Sequence, residues 1–560
     1  VSWVLFGISC VYLAHFASLY SQLPGLFGPT GLAPVADRAD ELARTVALRA
    51  LPPELGMEAF AALGAVLAAA QVALGSLRAG LGGVCTYAAL WVLWHDLVVA
   101  GGRFTSYQLD TVLLDAGAVA IFAPAMRAPA AAAFGFRWLL ARLYMGAGAV
   151  KLLSCDASWR DLSAVHWHLQ SQPLPNPIGT TAYSVLPTEV GAATTLFVLV
   201  AEMAAPFLFL APSSAVRRFA FALNCVLMSG IALFGNFGPF QALLAIVGVA
   251  LLDEGDLPAA PDASAAPLRP AAAPVPAVPA IAALAPWITA TTVMLACAAA
   301  VWALHHIGAR CDATWSPAPL VGGVLLLAPL AVLCSAATAA DVAIGMVLVL
   351  GSAVPFARGL GVALPGAPLL QLLNFSAFPY GLFATMSGVG GRPTMVLEAL
   401  SSQGHWVAVP FRYQIVDAAQ QAPLCFPHFP RLDWTYWFVP LGEDYALRDW
   451  LGRLLRGVLT GDAAVADLLN AEEMRRLFPE PPEAVRLSPM TCHVGTARPW
   501  ACAPADLASE AWGGLGSTSP LARPLTLGPR DLDAALPGEP PPAAAAWPAS
   551  PLRRLADGRG

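Results

Sequence analysis

Charge is scarce in this chain of 560 residues: Asp, Glu, Lys and Arg make up 12% of it, against 57% hydrophobic residues. A soluble globular protein carries about 25% charge to cover its surface. Half that cannot dress a particle of this size in water, so most of the chain has another solvent, and a bilayer fits. Lysine is nearly absent, with Lys151 the only one among 30 basic residues. A net charge of −6 with no basic run argues against a nucleic-acid partner. The ten cysteines include no C-x-x-C pair and no zinc spacing, so neither a dithiol redox motif nor a metal site is encoded. Hydrolase elbow, P-loop and G-x-G-x-x-G fingerprints are missing from any credible context. No reaction centre and no cofactor are displayed.

Long apolar runs are what the chain has instead. Runs of about 17 to 22 residues cross a hydrocarbon core of roughly 30 Å. They recur near 1–20, 57–75, 82–100, 109–125, 134–153, 190–211, 219–235, 238–252, 284–304, 319–337 and 341–358. The fold class expected is a polytopic α-helical membrane bundle of about 9–11 spans. The pair interrupted by Asn236-Phe237-Gly238-Pro239 reads equally as one broken or re-entrant helix. Loops holding Arg78, Arg127 and Arg217-Arg218 fall on one side, which the positive-inside rule makes cytosolic. The acidic 21–56 loop and the 154–189 loop then face the lumen, and an odd number of spans sends the C-terminal region there too. Asn374-Phe375-Ser376 is an N-glycosylation acceptor on that side. The chain starts with Val, so a preceding N-terminal piece is expected.

The chain divides into five parts: an N-terminal membrane bundle over 1–252, a Pro/Ala-rich linker over 253–283, further spans over 284–364, a luminal domain over 365–500, and a disordered tail over 501–560. In the fourth part, 394–399 and 406–413 flank a polar, Gly-containing turn and read as a hairpin. Three- and four-residue apolar steps predict a helix near 443–475. The luminal domain is therefore smaller than the bundle and mixed α/β. Cys10, Cys85, Cys225, Cys297 and Cys334 lie in apolar runs. Cys155, Cys311, Cys425, Cys492 and Cys502 do not, and are free to pair in an oxidising lumen.

A charge at mid-span costs about 2.5–3.5 kcal/mol on insertion scales, so each invites a reason. The 134–153 run holds Arg137, Arg142 and Lys151, with Gly146 and Gly148 thinning the helix for a neighbour. The preceding run opens with Gln108, Asp110 and Asp115, which suggests that Asp110 or Asp115 pairs with Arg142. Arg137 and Lys151 lie near helix ends and are also placed to snorkel. Glu202 needs a partner, and Asn236 marks the broken pair; these eight residues form a candidate intramembrane polar network. The 154–189 loop is dense in polar and aromatic groups: Asp156, Trp159, Arg160, Asp161, His166, His168, Gln172, Pro173 and Pro175. Its prolines force an extended path. In the luminal part Pro427, His428, Arg431, Asp433, Trp434 and Trp437 form the densest aromatic-polar cluster, either a partner-binding face or a domain core.

Several strings together resemble the lipase maturation factor family of endoplasmic-reticulum membrane proteins. They include PGLFGPTGLAP (24–34), YQLDTVLLDAG (107–117), RWLLARLYMGAGAVKLLSCDASWRDLSA (137–164), WHLQSQPLPNP (167–177) and GNFGPFQALLAI (235–246). YGLFATM (380–386), RPTMVLEA (392–399), PHFPRLDWTYWFVPLG (427–442) and LFPEPPEAVR (477–486) come next, in the family's order. The resemblance implies a multi-pass protein of the endoplasmic reticulum that assists folding and assembly of secreted lipases. Its partners would be secretory clients and membrane lipid. More distantly, the polytopic half looks like the membrane enzymes that include vitamin K-dependent carboxylase. That likeness gives the alternative, an enzyme acting on a lipid or luminal protein with Lys151 as a desolvated base.

Overall fold

The structure, a computed structural model, describes residues 1–126, 129–259, 279–307, 316–335, 338–364, 380–442 except 418 and 422, and 449–531 except 496–498, 508–511, 513–520 and 522–523. Asn374, Cys311, Arg127, most of the Pro/Ala-rich segment and residues 532–560 lie outside the described residues.

Continuous apolar runs dominate the first 360 residues, and helices, which satisfy their own backbone groups, result. The helices up to the end of the central span are α1 (Ser2–Phe27), α2 (Ala39–Ala43), α3 (Pro53–Ala73), α4 (Gly80–Gly101), α5 (Gln108–Phe122) and α6 (Pro129–Leu153). The long loop and the spans after it supply α7 (Ala157–Arg160), α8 (Ala164–Ser171), α9 (Pro177–Val185), α10 (Thr188–Phe209), α11 (Ser214–Phe234) and α12 (Phe240–Gly248). After the linker come α13 (Pro279–His306), α14 (Ala318–Ser335) and α15 (Ala339–Gly359). Among the described residues eight helices are long and apolar enough to cross a membrane. Three expected spans fall outside that set. The 238–252 run splits into α12, of nine residues, and a 3-10 turn at Val249–Leu251. The 319–337 run is the shorter helix α14, with Pro329 inside it. The 134–153 run forms α6, whose 25 residues span about 37 Å but whose three cations dilute its apolar character.

That helix is the axis of the bundle. Every residue from Ala131 to Ala149 is buried, and α5, α10, α12, α14 and α15 all pack on it. A helix enclosed in this way meets protein, not lipid, so its cations find protein partners. The 154–189 loop is more helical than its prolines suggest, because Asp156 and Asn176 cap α7 and α9 through backbone N–H groups. The segment from Gln172 to Asn176, with its prolines, forms no helix and joins α8 to α9.

The C-terminal domain is built on an antiparallel sheet, β1 (Arg392–Leu400), β2 (Trp406–Ala408), β3 (Val485–Val494), β4 (Trp500–Pro504) and β5 (Leu525–Leu527). Its order is β2-β1-β3-β4, with β5 also on β3. The expected hairpin is present, though β2 stops at Ala408, before Pro410. Between β2 and β3 lie α16 (Arg431–Tyr436), α17 (Trp450–Thr460), α18 (Ala463–Leu468) and α19 (Ala471–Leu477). The single helix expected over 443–475 is thus three short ones. Gly461, at φ +66°, ends the first, and Asp462 and Asn470 cap the next two.

The domain also runs past residue 500. β4 and β5 belong to the sheet, and Trp512 and Leu521 are fully buried. Cys492 and Cys502 face each other across β3 and β4 and are disulfide-bonded, and Cys155 is disulfide-bonded as well. Cys425 is instead a buried free thiol.

Candidate functional site

Two ends of the bundle are distinguishable. At one, Arg78 stacks over Phe6, the Trp3 indole donates to the Pro258 carbonyl, and Arg217 pairs with Asp253 at 2.5 Å. Arg137 belongs here too, donating from Nε to the Ala250 carbonyl at 2.9 Å. At the other end the C-terminal domain docks on α1, α5, the 154–189 loop and the residues after α11. The candidate site is this junction and the cavities beneath it.

Its centre is Arg431. Burial leaves the side chain 1% exposed, and its two terminal nitrogens donate to both oxygens of Asp110 at 3.0 and 2.8 Å. Asp110 sits in the first turn of α5, where its carboxylate also accepts from the Tyr107 N–H and faces the positive end of the helix dipole. A third hydrogen bond runs from the Arg431 guanidinium to the Phe104 carbonyl at 2.6 Å. Gln22 and Ser18 of α1 accept from the N–H groups of Arg431 and Phe429 at 2.8 and 3.0 Å. Tyr107 and Thr435 hydroxyls meet at 2.5 Å. So the 427–437 cluster, expected to be a client-binding face or a core, is an interdomain joint. Arg431 and Asp433 are inside it, Trp434, Trp437 and His428 are half-buried, and of the six candidates Pro427 alone is exposed.

The loop is tied from above and below. Arg392, 1% exposed, reaches from β1 to the Gln172 carbonyl at 2.5 Å, the Pro173 carbonyl at 3.2 Å and Gln414 Oε1 at 3.0 Å. With no carboxylate among these partners, burial pushes its guanidinium down to about 9. Asp156 accepts the Met386 N–H at 2.7 Å, and the Trp159 indole donates to the Phe383 carbonyl at 3.0 Å. Asn236 clamps three strands of chain. Its amide donates to the Pro175 and Pro423 carbonyls, and its carbonyl accepts from the Cys425 N–H at 2.8 Å. Arg160 is buried and donates weakly to the Leu152 carbonyl, while Asp161 is exposed and only caps the turn at Ser163.

Deeper in the bundle the charges pair off. Arg142 binds Asp115 at 2.9 Å, as adjacent helices of opposite sign suggested. Tyr380, which enters from the C-terminal domain, donates to the same carboxylate at 2.5 Å. Asp110 is not Arg142's partner. Lys151 does not snorkel: it donates to Glu202 at 2.7 Å and to the Ala147 carbonyl at 3.1 Å, beneath the Trp159 ring. The glycines serve two neighbours, since a Cβ on Gly148 would stand 2.9 Å from Glu202 Cβ and one on Gly146 would strike the Tyr380 carbonyl.

Two cavities flank the Lys151–Glu202 pair. One, of about 490 Å³, lies under the joint between Tyr107, Gln108, Trp434 and Trp437. The other, of about 660 Å³, lies among α8, α10 and α11. Lys151, Glu202, Leu227, Ile231, Phe237 and Phe383 line both. His166 and His168, two apart on α8, do not share a helix face, and burial holds His168 down at about 4, neutral. Among the described residues no three His, Cys, Asp or Glu side chains are grouped to hold a metal ion.

Sequence reasoning overlooked Arg392, Gln414, Tyr380 and Asp96. Asp96, fully buried in α4, accepts from the N–H groups of Val46, Ala47 and Leu48 at 2.7–2.9 Å and so shapes the 28–52 loop. A carboxylate inside an apolar run was the signal for it.

Asp433 gives a pH test. Burial, outweighing the N–H bonds from Tyr413 and Gln414, pushes its carboxyl up to about 7 from 3.8, and its Oδ2 has no hydrogen-bond partner among the described residues. A folded-state pKa above the unfolded one means the folded state holds the proton longer, so stability falls as pH rises between those two values. Asp433→Asn should flatten this slope and raise the melting temperature at pH 8, as thermal unfolding of both proteins from pH 4 to 8 would show. Parallel pH profiles would contradict the assignment.

This fold and junction define a multi-pass membrane protein with a C-terminal α/β domain docked by buried charges on one end of its helix bundle. Residues 2–259 match the lipase maturation factor transmembrane domain and residues 377–497 the lipase maturation factor C-terminal domain. The chain belongs to the lipase maturation factor family. It is 29% identical to lipase maturation factor 2 of Mus musculus over 549 residues, 85% of this chain and 77% of that protein. It is 28% identical to the Homo sapiens protein of the same name, over 86% of this chain and 77% of the other. Lipase maturation factor 1 of Homo sapiens is 24% identical over 70% of this chain and 63% of its own length. No solved structure matches.

Proposed function

We propose that this chain is an endoplasmic-reticulum membrane factor that assists folding and assembly of secreted lipases, with its C-terminal domain in the lumen. Family membership supplies the lipase client. The observation that carries the sidedness is the docking face: the C-terminal domain binds the end of the bundle opposite to Arg78, Arg137 and Arg217. Arginine-bearing loops mark the cytosolic side. The Cys492–Cys502 disulfide supports an oxidising compartment for the same domain.

Since the 427–437 cluster is spent on docking, the client contact moves to the exposed segment beside it. Leu424 and Phe426 are 54% and 63% exposed, next to exposed Pro427, on a stretch clamped by Asn236. Apolar side chains held out on a fixed stretch suit an immature client with unburied apolar surface. In cells lacking their own factor, this chain should restore the specific activity of a secreted dimeric lipase, and the Leu424→Ser/Phe426→Ser variant should restore several-fold less at equal abundance. No rescue by the unaltered chain would sink the lipase reading; equal rescue by the variant would sink the contact surface alone.

A second reading, an enzyme with Lys151 as base, is favoured by one observation: Lys151 lines both cavities.

A further inference from the structure

The cavities around Lys151 open to two different environments. The larger one reaches the outer wall of the bundle, where Leu186, Val190 and Val226 line it while being 39%, 42% and 61% exposed. Gly230 lines the same cavity, with nothing within 4 Å of where its Cβ would stand. α11 is largely unburied along its length and presents Phe219, Val226 and Leu233 outward, the surface a spanning helix shows to hydrocarbon. The mouth between the start of α10 and the end of α11 therefore opens sideways into the bilayer. Inward, the same space meets the smaller cavity at Lys151 and Glu202 and ends beneath the C-terminal domain.

The lining states what fits. Leu, Val, Ile and Phe side chains dominate the outer cavity, and both volumes lie within the roughly 300–1,000 Å³ of ligand pockets. In the interior walls the charges are already satisfied internally, Lys151 to Glu202 at 2.7 Å, and the other charge in the lining, Glu189, stands exposed at the outer end. A charged head group there would be buried without a counter-ion. At the inner end, however, Gln108 Oε1 is buried and finds no hydrogen-bond partner among the described residues. A buried acceptor without a donor is costly, and it calls for a ligand that brings one.

We propose that the two cavities are one binding site for an uncharged single-chain membrane amphiphile, its hydrocarbon tail between α10 and α11 and its hydroxyl head at Gln108. The ligand enters laterally from the bilayer, passes the Lys151–Glu202 pair, and touches the underside of the docked domain at Trp434 and Trp437. Its occupancy does not depend on which client the domain meets.

The full chain in nanodiscs, exposed to a monoacylglycerol carrying a diazirine midway along its tail, tests this. Labelling should saturate, map to the inner faces of α10 and α11, and be competed by excess unlabelled monoacylglycerol. Gly230→Trp across the mouth should cut it roughly tenfold, and Gln108→Leu should weaken it about as much. The corresponding diazirine fatty acid, ionised at neutral pH, should label less. Labelling that cannot be competed, that falls evenly on outward faces such as that of α3, or that is stronger with the fatty acid would overturn the site. Should Gly230→Trp fail to fold, competition in the unaltered protein and the comparison of the two probes decide the matter.

Discussion

Replacing Arg431 with Ala should cost about 3–5 kcal/mol of stability, among the largest single effects in the chain. The reason is the Asp110 carboxyl group, 0% exposed, which would lose both guanidinium hydrogen bonds and its counter-ion. The reciprocal Asp110→Ala should cost as much, because it strands the guanidinium. The two losses are not additive, since both report one interaction. Arg431→Met with Asp110→Leu removes both charges and should recover most of the stability, as replacement of other buried ion pairs by apolar side chains does. Thermal unfolding in detergent reads the stability, and limited proteolysis between residues 360 and 392 reads undocking of the C-terminal domain. Single variants should be cleaved quickly and the double variant slowly. Equal resistance in all four proteins would show that Arg431 does not hold the domain. Arg431→Ala is thus expected to lower client secretion too, through loss of the joint and not through loss of a contact with the client.

Why this joint escaped the sequence is a matter of distance along the chain. Asp115 and Arg142 sit on consecutive spans, and opposite charges in neighbouring apolar runs have few other partners; that pairing was legible. Asp110 has the same composition around it, yet its partner lies 321 residues away, in a domain whose docking no local pattern encodes. Arg431 and Trp434 were visible as unusual, but an aromatic-charged cluster reads the same whether it faces a client, a core or a second domain. Arg392 was invisible for another reason. It opens a strand, where an arginine is ordinarily solvated, and its partners Gln172 and Pro173 offer backbone carbonyls, which leave no trace in side-chain chemistry. The membrane spans were legible because length and hydropathy suffice. Of the three exceptions, α6 is enclosed by protein and carries three cations, α12 breaks into a 3-10 turn, and α14 is short with Pro329 inside it. The sheet's later strands, β4 and β5, were missed because Pro, Ala, Gly and Ser around them mask any period. Their pairing is set by β3, not by their own residues.

Lys151 and Glu202 pose the sharper functional question, and a pair of exchanges answers it. Lys151 is the cation paired with Glu202: its Nζ gives one hydrogen to that carboxylate and one to the Ala147 carbonyl, with the Trp159 ring 5.3 Å away. A general base must give that charge up, and in doing so would leave the Glu202 carboxylate buried among α6 and α10 without a counter-ion. Glu202→Leu alone should therefore be destabilising by about 3–5 kcal/mol, because it strands the ammonium beside two apolar cavities. Lys151→Met alone should cost a similar amount. The double variant Lys151→Met/Glu202→Leu keeps volume, removes both charges and should fold nearly as well as the unaltered chain. If Lys151 is a structural cation, that double variant also supports lipase maturation at the unaltered level, and Lys151→Arg, which keeps the charge but does not deprotonate, retains it as well. If Lys151 is a base, both fold and neither functions. Measured together, the melting temperature and the specific activity of the secreted lipase separate the two roles. A stable, well-expressed double variant that is inactive, together with an inactive Lys151→Arg, would overturn the structural-cation reading.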